Sequence, residues 1–314
     1  MIGKTRQPSA KFVEVYDAEA GRARGTLGPP PLAGKFRHSR RNPSPELASW
    51  IEHYWVVSWD LRGLPPYAAE TLPHPNFQVI FEKGRSAVSG VFTGKFSRTL
   101  EGKSHVFGVK FAPGAFRPFL REPASSFTDR TVPLKRVFGK DIAGLEKILT
   151  GPEKEDRMIA AANAFFGARI PANDEAVVRA GELVRLILRQ SEIKTVDDLE
   201  LRTGIGKRTL QRIFNEYIGV SPKWVIRRYR LHELIERFKS GKKMEWSDLA
   251  LELGYFDQAH LINDFRSMVG YSPVRYQKAG DVNTVVAPDR KMRSFKDAQS
   301  GHDVARQLRR KNDA

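Results

Sequence analysis

The chain of 314 residues contains no cysteine. Disulfides, thiolate nucleophiles and Cys-based zinc sites are excluded, as is DNA-repair alkyl transfer to a cysteine, and the chain suits a reducing compartment such as the cytoplasm. No apolar run approaches 18 residues, so no membrane partner and no membrane-spanning helix are expected. Met1 to Ala10 carries cations but no apolar stretch, so no signal peptide is expected. The seven histidines, at 38, 53, 74, 105, 232, 260 and 302, form no His-x-His pair. Glu70 and His74 are four apart, but Pro73 and Pro75 flank the histidine and forbid a regular helix that would bring the two together. The loops at Gly84, Gly90 and Gly94 lead into no Lys-Ser/Thr pair, so no nucleotide cradle is suggested. No catalytic residue, metal or cofactor is expected, and the chain does not read as an enzyme.

What the chain has is positive charge. It carries 53 Lys and Arg against 36 Asp and Glu, a net +17, and a pI near 10.1. That balance favours a polyanionic partner. The excess is spread along the chain, for residues 195–278 hold 15 basic and 11 acidic groups while residues 1–45 hold 9 and 3. Charge alone therefore supplies nonspecific attraction, and a specific reading needs a motif.

The composition divides the chain. Residues 1–43 read as a disordered basic arm, with Gly28-Pro-Pro-Pro-Leu32 and a cationic run from Lys35 to Arg41 that cannot build a core. Residues 279–314 read as a basic tail of the same kind. Between 44 and 170 lie β-branched and aromatic stretches, His53–Trp59, Asn76–Phe81, Ala87–Phe92, Lys95–Leu100 and His105–Phe111. They predict an antiparallel sheet or small barrel, with Val106–Phe111 buried on both faces. A short helix is expected from Ser44 to about Glu52, and further helices over Gly114–Leu120, Gly139–Leu149 and Glu153–Phe166. Trp50, Trp55 and Trp59 read either as the lining of an apolar pocket or as plain core aromatics.

The C-terminal part repeats itself. Leu210-Gln-Arg-Ile-Phe214 leads to Gly219-Val-Ser-Pro222, and 51 residues on Leu261-Ile-Asn-Asp-Phe265 leads to Gly270-Tyr-Ser-Pro273. Each copy has a Leu and a Gly upstream, Leu199 with Gly204 and Leu249 with Gly254. An apolar helix, a glycine turn and a second apolar helix, written twice, predict two helix-turn-helix units. Thr195 and Asp198 have the spacing of a capping box, Asp257 can cap the later helix, and each Ser-Pro pair starts another helix. Leu210, Ile213, Phe214 and Tyr217 form one inner face; Leu261, Ile262, Phe265 and Met268 form the other.

The pattern Gly204-x-Gly206-x-Arg208-x-Leu210-x-Arg212-x-Phe214-x4-Gly219-x-Ser221-Pro222 resembles the first half of the AraC/XylS-type DNA-binding domain. The pattern Asp248-Leu-Ala250-x3-Gly254-Tyr-Phe-Asp257-Gln258-Ala259-His260-Leu261-x3-Phe265-Arg266-x3-Gly270-x-Ser272-Pro273-x2-Tyr276 resembles the second. The resemblance covers about residues 174–278. Gly206 departs from it, lacking the side-chain acceptor of the usual Ser. So does Glu200, where a small residue is usual, and which must reach solvent or a cation. Asn263 stands where Arg is common.

The resemblance implies a multidomain α+β chain: a β-rich sheet or barrel with flanking helices over 44–170, which senses an effector or dimerises, then an all-α domain over 174–278 of two helix-turn-helix units joined by a long helix. That helix, about Pro222 to Phe238, would span roughly 25 Å at 1.5 Å per residue, and adjacent major grooves on one face lie about 34 Å apart. The implied partner is double-stranded DNA; a small-molecule effector, RNA polymerase and a second copy of the chain are further candidates. Helix geometry places Lys207, Arg208, Thr209, Gln211 and Arg212 on the outer face of the first recognition helix, and Gln258, Ala259, His260, Asn263 and Arg266 on that of the second. Arg and Gln suit guanine and adenine edges, and Ala259 suits a thymine methyl. The function expected is that of an effector-responsive bacterial transcription regulator, activator or repressor. Two alternatives remain: an architectural DNA-binding protein without effector, and an enzyme carrying a DNA-targeting module.

Overall fold

A computed structural model of the chain describes residues 13–16, 26–27, 34–72, 74–171, 174–239 and 245–276. The expected tail 279–314 and most of the expected arm lie outside the described residues. Two sheets form from β1 (Val13–Tyr16), β2 (Thr26–Leu27), β3 (Phe36–Arg41), β4 (Ile51–Asp60), β5 (Tyr67–Thr71), β6 (Gln78–Phe81), β7 (Ala87–Ser89), β8 (Phe96–Leu100), β9 (Lys103–Phe111) and β10 (Thr131–Pro133). The larger runs β1-β3-β4-β9-β6-β7-β10 and the smaller β2-β5-β8. All pairings are antiparallel except β1 with β3. The strand order is that of open sheets.

The middle of the large sheet follows from its side chains. β9 is buried from Val106 to Phe111, covered on both faces. Gly108 stands opposite Trp55, and a Cβ there would come within 1.9 Å of the indole, so the tryptophan lies flat on a position only glycine allows. The Trp55 indole N–H donates to Gln78 Oε1 at 3.0 Å and that of Trp59 to Glu101 O at 3.0 Å. With Trp50 and Trp59 buried, these aromatics belong to the core.

Three expectations need correction. Residues 36–41 are no part of a disordered arm: β3 pairs along its length with β4, Phe36 opposite Trp59 and Arg41 opposite Tyr54. Its backbone completes the sheet while Phe36 and Ser39 turn inward, which a count of cations does not reveal. The helix expected at 44–52 is a single tight turn at Pro45–Leu47, and that at 114–120 is another at Arg117–Phe119. Both prolines stand in the first turn, where they are tolerated; the first helix is cut short because β4 takes over at Ile51, the second because Leu120 is extended.

Helices follow: α1 (Leu134–Phe138), α2 (Ile142–Leu149), α3 (Glu155–Gly167), α4 (Glu175–Arg189), α5 (Val196–Thr203), α6 (Lys207–Ile213), α7 (Pro222–Lys239), α8 (Trp246–Glu252) and α9 (Gln258–Val269). The apolar core does not divide where the β-rich part ends. One continuous cluster joins Phe77, Phe107, Phe111 and Phe116 of the β-rich part to Val177 and Val184 of α4, Leu199, Leu210, Phe214 and Ile226. A second cluster holds Leu231, Leu234, Leu249, Leu261, Phe265 and Met268, with Leu72 from the end of β5. Among the described residues no helix is long and apolar enough to cross a membrane.

Candidate nucleic-acid interface

Both expected units are present, α5–α6 and α8–α9. The first opens on the capping box: the Thr195 hydroxyl accepts from Asp198 N, and Asp198 accepts from Thr195 N at 2.8 Å. These donors hold the Asp198 carboxyl below its usual range, against the opposing effect of its partial burial. Gly204 then leaves the helix at φ 67° and Gly254 does the same at φ 74°, a region that favours glycine. In the second unit Asp257 Oδ1 accepts from His260 N at 2.7 Å. Ser221 and Ser272 cap the helices that follow, accepting from Trp224 N and Arg275 N.

Glu200 answers the lack of an acceptor at Gly206. Its Oε1 accepts from Lys207 N at 3.1 Å, the first orphan amide of α6, one residue ahead of those a capping serine would serve. Lys207 Nζ lies 2.7 Å from Asp197 and 3.9 Å from Glu200; hydrogen bonding to Asp197 raises the ammonium pKa. A carboxylate from α5 thus caps α6 from outside and meets its first cation. The recognition helix is α-helical only to Ile213; Phe214–Ile218 widen into a π-helical turn that ends at Gly219, φ 98°. The helix expected to reach Tyr217 is therefore continuous but changes pitch at Phe214.

The chosen side chains gather as their spacing requires. Arg208, Gln211 and Arg212 are three and four residues apart on one face of α6, and with Lys207 they are exposed; Thr209 is half-buried. The Gln211 amide donates to Asn215 at 2.9 Å. Among the described residues no carboxylate pairs with Arg208 or Arg212. On α9, Gln258, Ala259, His260, Asn263 and Arg266 are all exposed, while Leu261, Phe265 and Met268 are buried. The His260 ring meets Tyr255 edge-on, with centroids 5.2 Å apart.

The connector α7 holds the second unit by charge. Arg227 grips Asp264 of α9 with two donors, Nε at 2.6 Å from Oδ2, and Arg237 grips Glu252 of α8 at 2.7 Å. The Arg237–Glu252 bonds push the arginine pKa up and the glutamate pKa down. Arg228 is fully buried and donates to Leu72 O at 3.5 Å. Two surface features escaped sequence reasoning. Phe256, 87% exposed, stands just ahead of the cap of α9. Pro123 and Ser125 of the β-rich part border the exposed face of α6. Phe256 lies within the repeat and its exposure was not legible there; the 123–125 contact spans more than 80 residues of chain and leaves no local signal.

Residues 200–279 match a family described as a helix-turn-helix domain, and residues 39–133 match one described as a domain of unknown function (DUF6597). No curated protein matches the chain. Solved structures similar to it include an apo variant of ToxT from Vibrio cholerae, 15% identical, covering 72% of this chain and 97% of that one with a TM-score of 0.35. Another ToxT structure from Vibrio cholerae is 15% identical, covering 71% and 95%, TM-score 0.34. A third, of ToxT bound to an unsaturated fatty acid, is 14% identical, covering 84% and 96%, TM-score 0.32.

Proposed function

We propose that the chain is a DNA-binding transcriptional regulator of AraC/XylS type, a reading supported by the helix-turn-helix match over residues 200–279 and the two-unit motif, and that α6 and α9 read two adjacent major grooves of one duplex. The observation that carries this is the pair of exposed polar faces set 51 residues apart on two helices joined by α7. At 1.5 Å per residue its 18 residues span about 27 Å, comparable to the groove repeat of about 34 Å. Arg208 and Arg212, exposed and with no carboxylate partner among the described residues, suit base edges and flanking phosphates; Gln211 must give up Asn215 to reach a base. Gln258, Ala259, His260 and Asn263 fill the same role in α9, and Arg266 holds phosphate.

The β-rich half is the sensing half. Both units seat on it, the first through a shared core and the second through Leu72 and Tyr271. A small molecule that shifts this half therefore shifts the reading heads. Dimerisation through the same half and a contact with RNA polymerase complete the proposal.

The test is binding of the full chain to duplexes selected in vitro. Affinity should fall steeply with salt, each phosphate contact adding about 0.9 to the log–log slope, and the footprint should cover two adjacent major grooves. Arg208→Ala should cost about 1–3 kcal/mol on the selected site and relax preference at one base pair. A slope near zero would contradict DNA binding; equal losses on selected and random DNA would confine Arg208 to phosphate.

A further inference from the structure

The first recognition helix has a neighbour from the other half of the protein. Ala124 and Phe127 of the turn Ala124–Phe127 enter the same core as Leu210, Phe214 and Ile218. The Thr128 hydroxyl donates to Gly219 O, and Arg117 pairs with Glu216 at 2.6 Å. A Cβ on Gly219 would come within 3.1 Å of Ala124 O, so this corner is packed tightly onto the end of the helix. With Ala124 and Phe127 turned inward, Pro123 and Ser125 are left exposed. Together with Arg208, Gln211, Arg212 and Asn215 they line one open groove.

We propose that the phosphate strand bordering the major groove read by α6 lies in this groove, so that the β-rich half itself contacts DNA at 123–125. A helix with its side chains is about 10–12 Å across and the major groove about 12 Å wide, so a helix that enters it has a sugar-phosphate strand along each side. On one side of α6 that strand meets the 123–125 corner. The groove is suited to an anion: its one carboxylate among the lining residues, Glu216, is matched by Arg117, while Arg208 and Arg212 face it with no carboxylate partner among the described residues. One more cation sits on the same corner: Arg130 Nη1 donates to Ser126 O at 3.3 Å. Arg136, whose guanidinium lies 5.6 Å from the Phe127 ring, is matched by Glu122 at 2.9 Å. Because the corner is fixed by its core residues, a phosphate contact there costs little ordering.

This inference rests on the reading of α6 as a DNA-facing helix, and the experiment separates the two. Ser125→Glu, Ser125→Lys, Ser125→Ala and Arg212→Ala are made in the full chain, and each variant is titrated against a selected duplex and a random one over a range of salt. Ser125 is exposed, and equal melting temperatures confirm that folding is unchanged. Ser125→Glu is expected to weaken binding to both duplexes at least about tenfold, whereas Ser125→Lys tightens it and steepens the log–log salt slope by about 0.9. Ser125→Ala stays near the parent. If Ser125→Glu binds like the parent while Arg212→Ala is weakened, the strand does not enter the groove and the inference fails alone. If Ser125→Glu binds tighter, the corner obstructs DNA and the inference fails. If neither Ser125→Glu nor Arg212→Ala changes affinity, α6 does not face DNA and the parent reading falls with it.

Discussion

Leu199, Leu210, Phe214 and Ile218 of the first helix-turn-helix unit share a core with the sheet, whereas Leu249, Leu261, Phe265 and Met268 of the second build a core to which the β-rich half adds Leu72. The two units are one motif written twice, so the difference lies in attachment. It is concentrated in the variable residue of the two Gly-x-Ser-Pro exits. Val220 is buried in the shared core. Its counterpart Tyr271 offers its hydroxyl to both oxygens of Glu70, at 3.1 and 3.2 Å. Glu70 in turn holds Lys95 at 2.5 Å, with side chains 13% and 4% exposed, and the ammonium lies 4.1 Å from the Tyr271 ring centre. An apolar seam joins the first unit to the sheet, and a buried polar clasp joins the second. Seams of the first kind melt with the core they belong to, while a clasp comes apart at one point.

The largest expected effect is on the cores. Phe214→Ala and Phe265→Ala each remove a fully buried ring and should each cost about 3–5 kcal/mol. Phe214→Ala should lower the melting temperature of the sheet as well, in a single transition. Phe265→Ala should release only the second unit, seen as loss of amide protection confined to about 245–276. Identical consequences for the two variants would erase the distinction between the units.

Next comes the clasp. Glu70→Gln leaves Lys95 buried without its counter-charge and should loosen the second unit by about 3 kcal/mol, as for a broken buried pair. Tyr271→Phe should cost about 1 kcal/mol. Exchange protection in α9 reports both, and protection in α6 should hold. Loss of α6 protection in Glu70→Gln would mean that the clasp supports both units.

Acid should act on the sheet and the first unit together. Burial, then Lys110 and Arg40, push the His53 imidazole down from 6.5 to about 2. The unfolded chain therefore takes up a proton below pH 6.5 that the folded one refuses. Stability is lost as pH falls, about 1.4 kcal/mol per pH unit, or about 2 kcal/mol between pH 6.5 and pH 5. Chemical denaturation at pH 7 and pH 5 measures it. Burial, then Arg40, push the His38 imidazole down too, to about 4, which adds a loss of the same sign; equal stability at the two values would mean that the fold keeps neither imidazole neutral.

The smallest effect concerns caps. The second unit caps α9 with its own Asp257, while α6 borrows Glu200 from α5. Asp257→Ala and Glu200→Ala should each cost about 1 kcal/mol. Gly206→Ser would serve the next amides, of Arg208 or Thr209, and should add its own increment with or without Glu200, which a double-mutant cycle reads directly. Strong non-additivity would show that the two side chains serve the same amide.

Local chemistry was legible and long-range attachment was not. The capping box at Thr195, the left-handed glycines 204 and 254, the Asp257 cap and the inner faces of both recognition helices follow from spacing within a dozen residues, and all are as expected save Ile262, which is half-buried and outside the second core. The strands β6, β7 and β8 lie within the β-branched stretches that suggest them, and β4 and β9 contain theirs and run past them. β3 did not announce itself, because five of its six residues are polar and its place is set by backbone pairing to β4. The Glu200 cap needed the fold of the turn to bring α5 over α6. The 123–125 corner and the Glu70–Lys95–Tyr271 clasp join residues up to 201 apart, and no periodicity records such a contact.

Native-state hydrogen exchange on the full chain tests the division between the units most directly. Amides of α6 should open with the same free energy, and the same denaturant dependence, as those of β9. Those of α9 should open at lower free energy, with a smaller dependence, as a separate unit. Amides of α6 and α9 opening together, and independently of β9, would contradict the account.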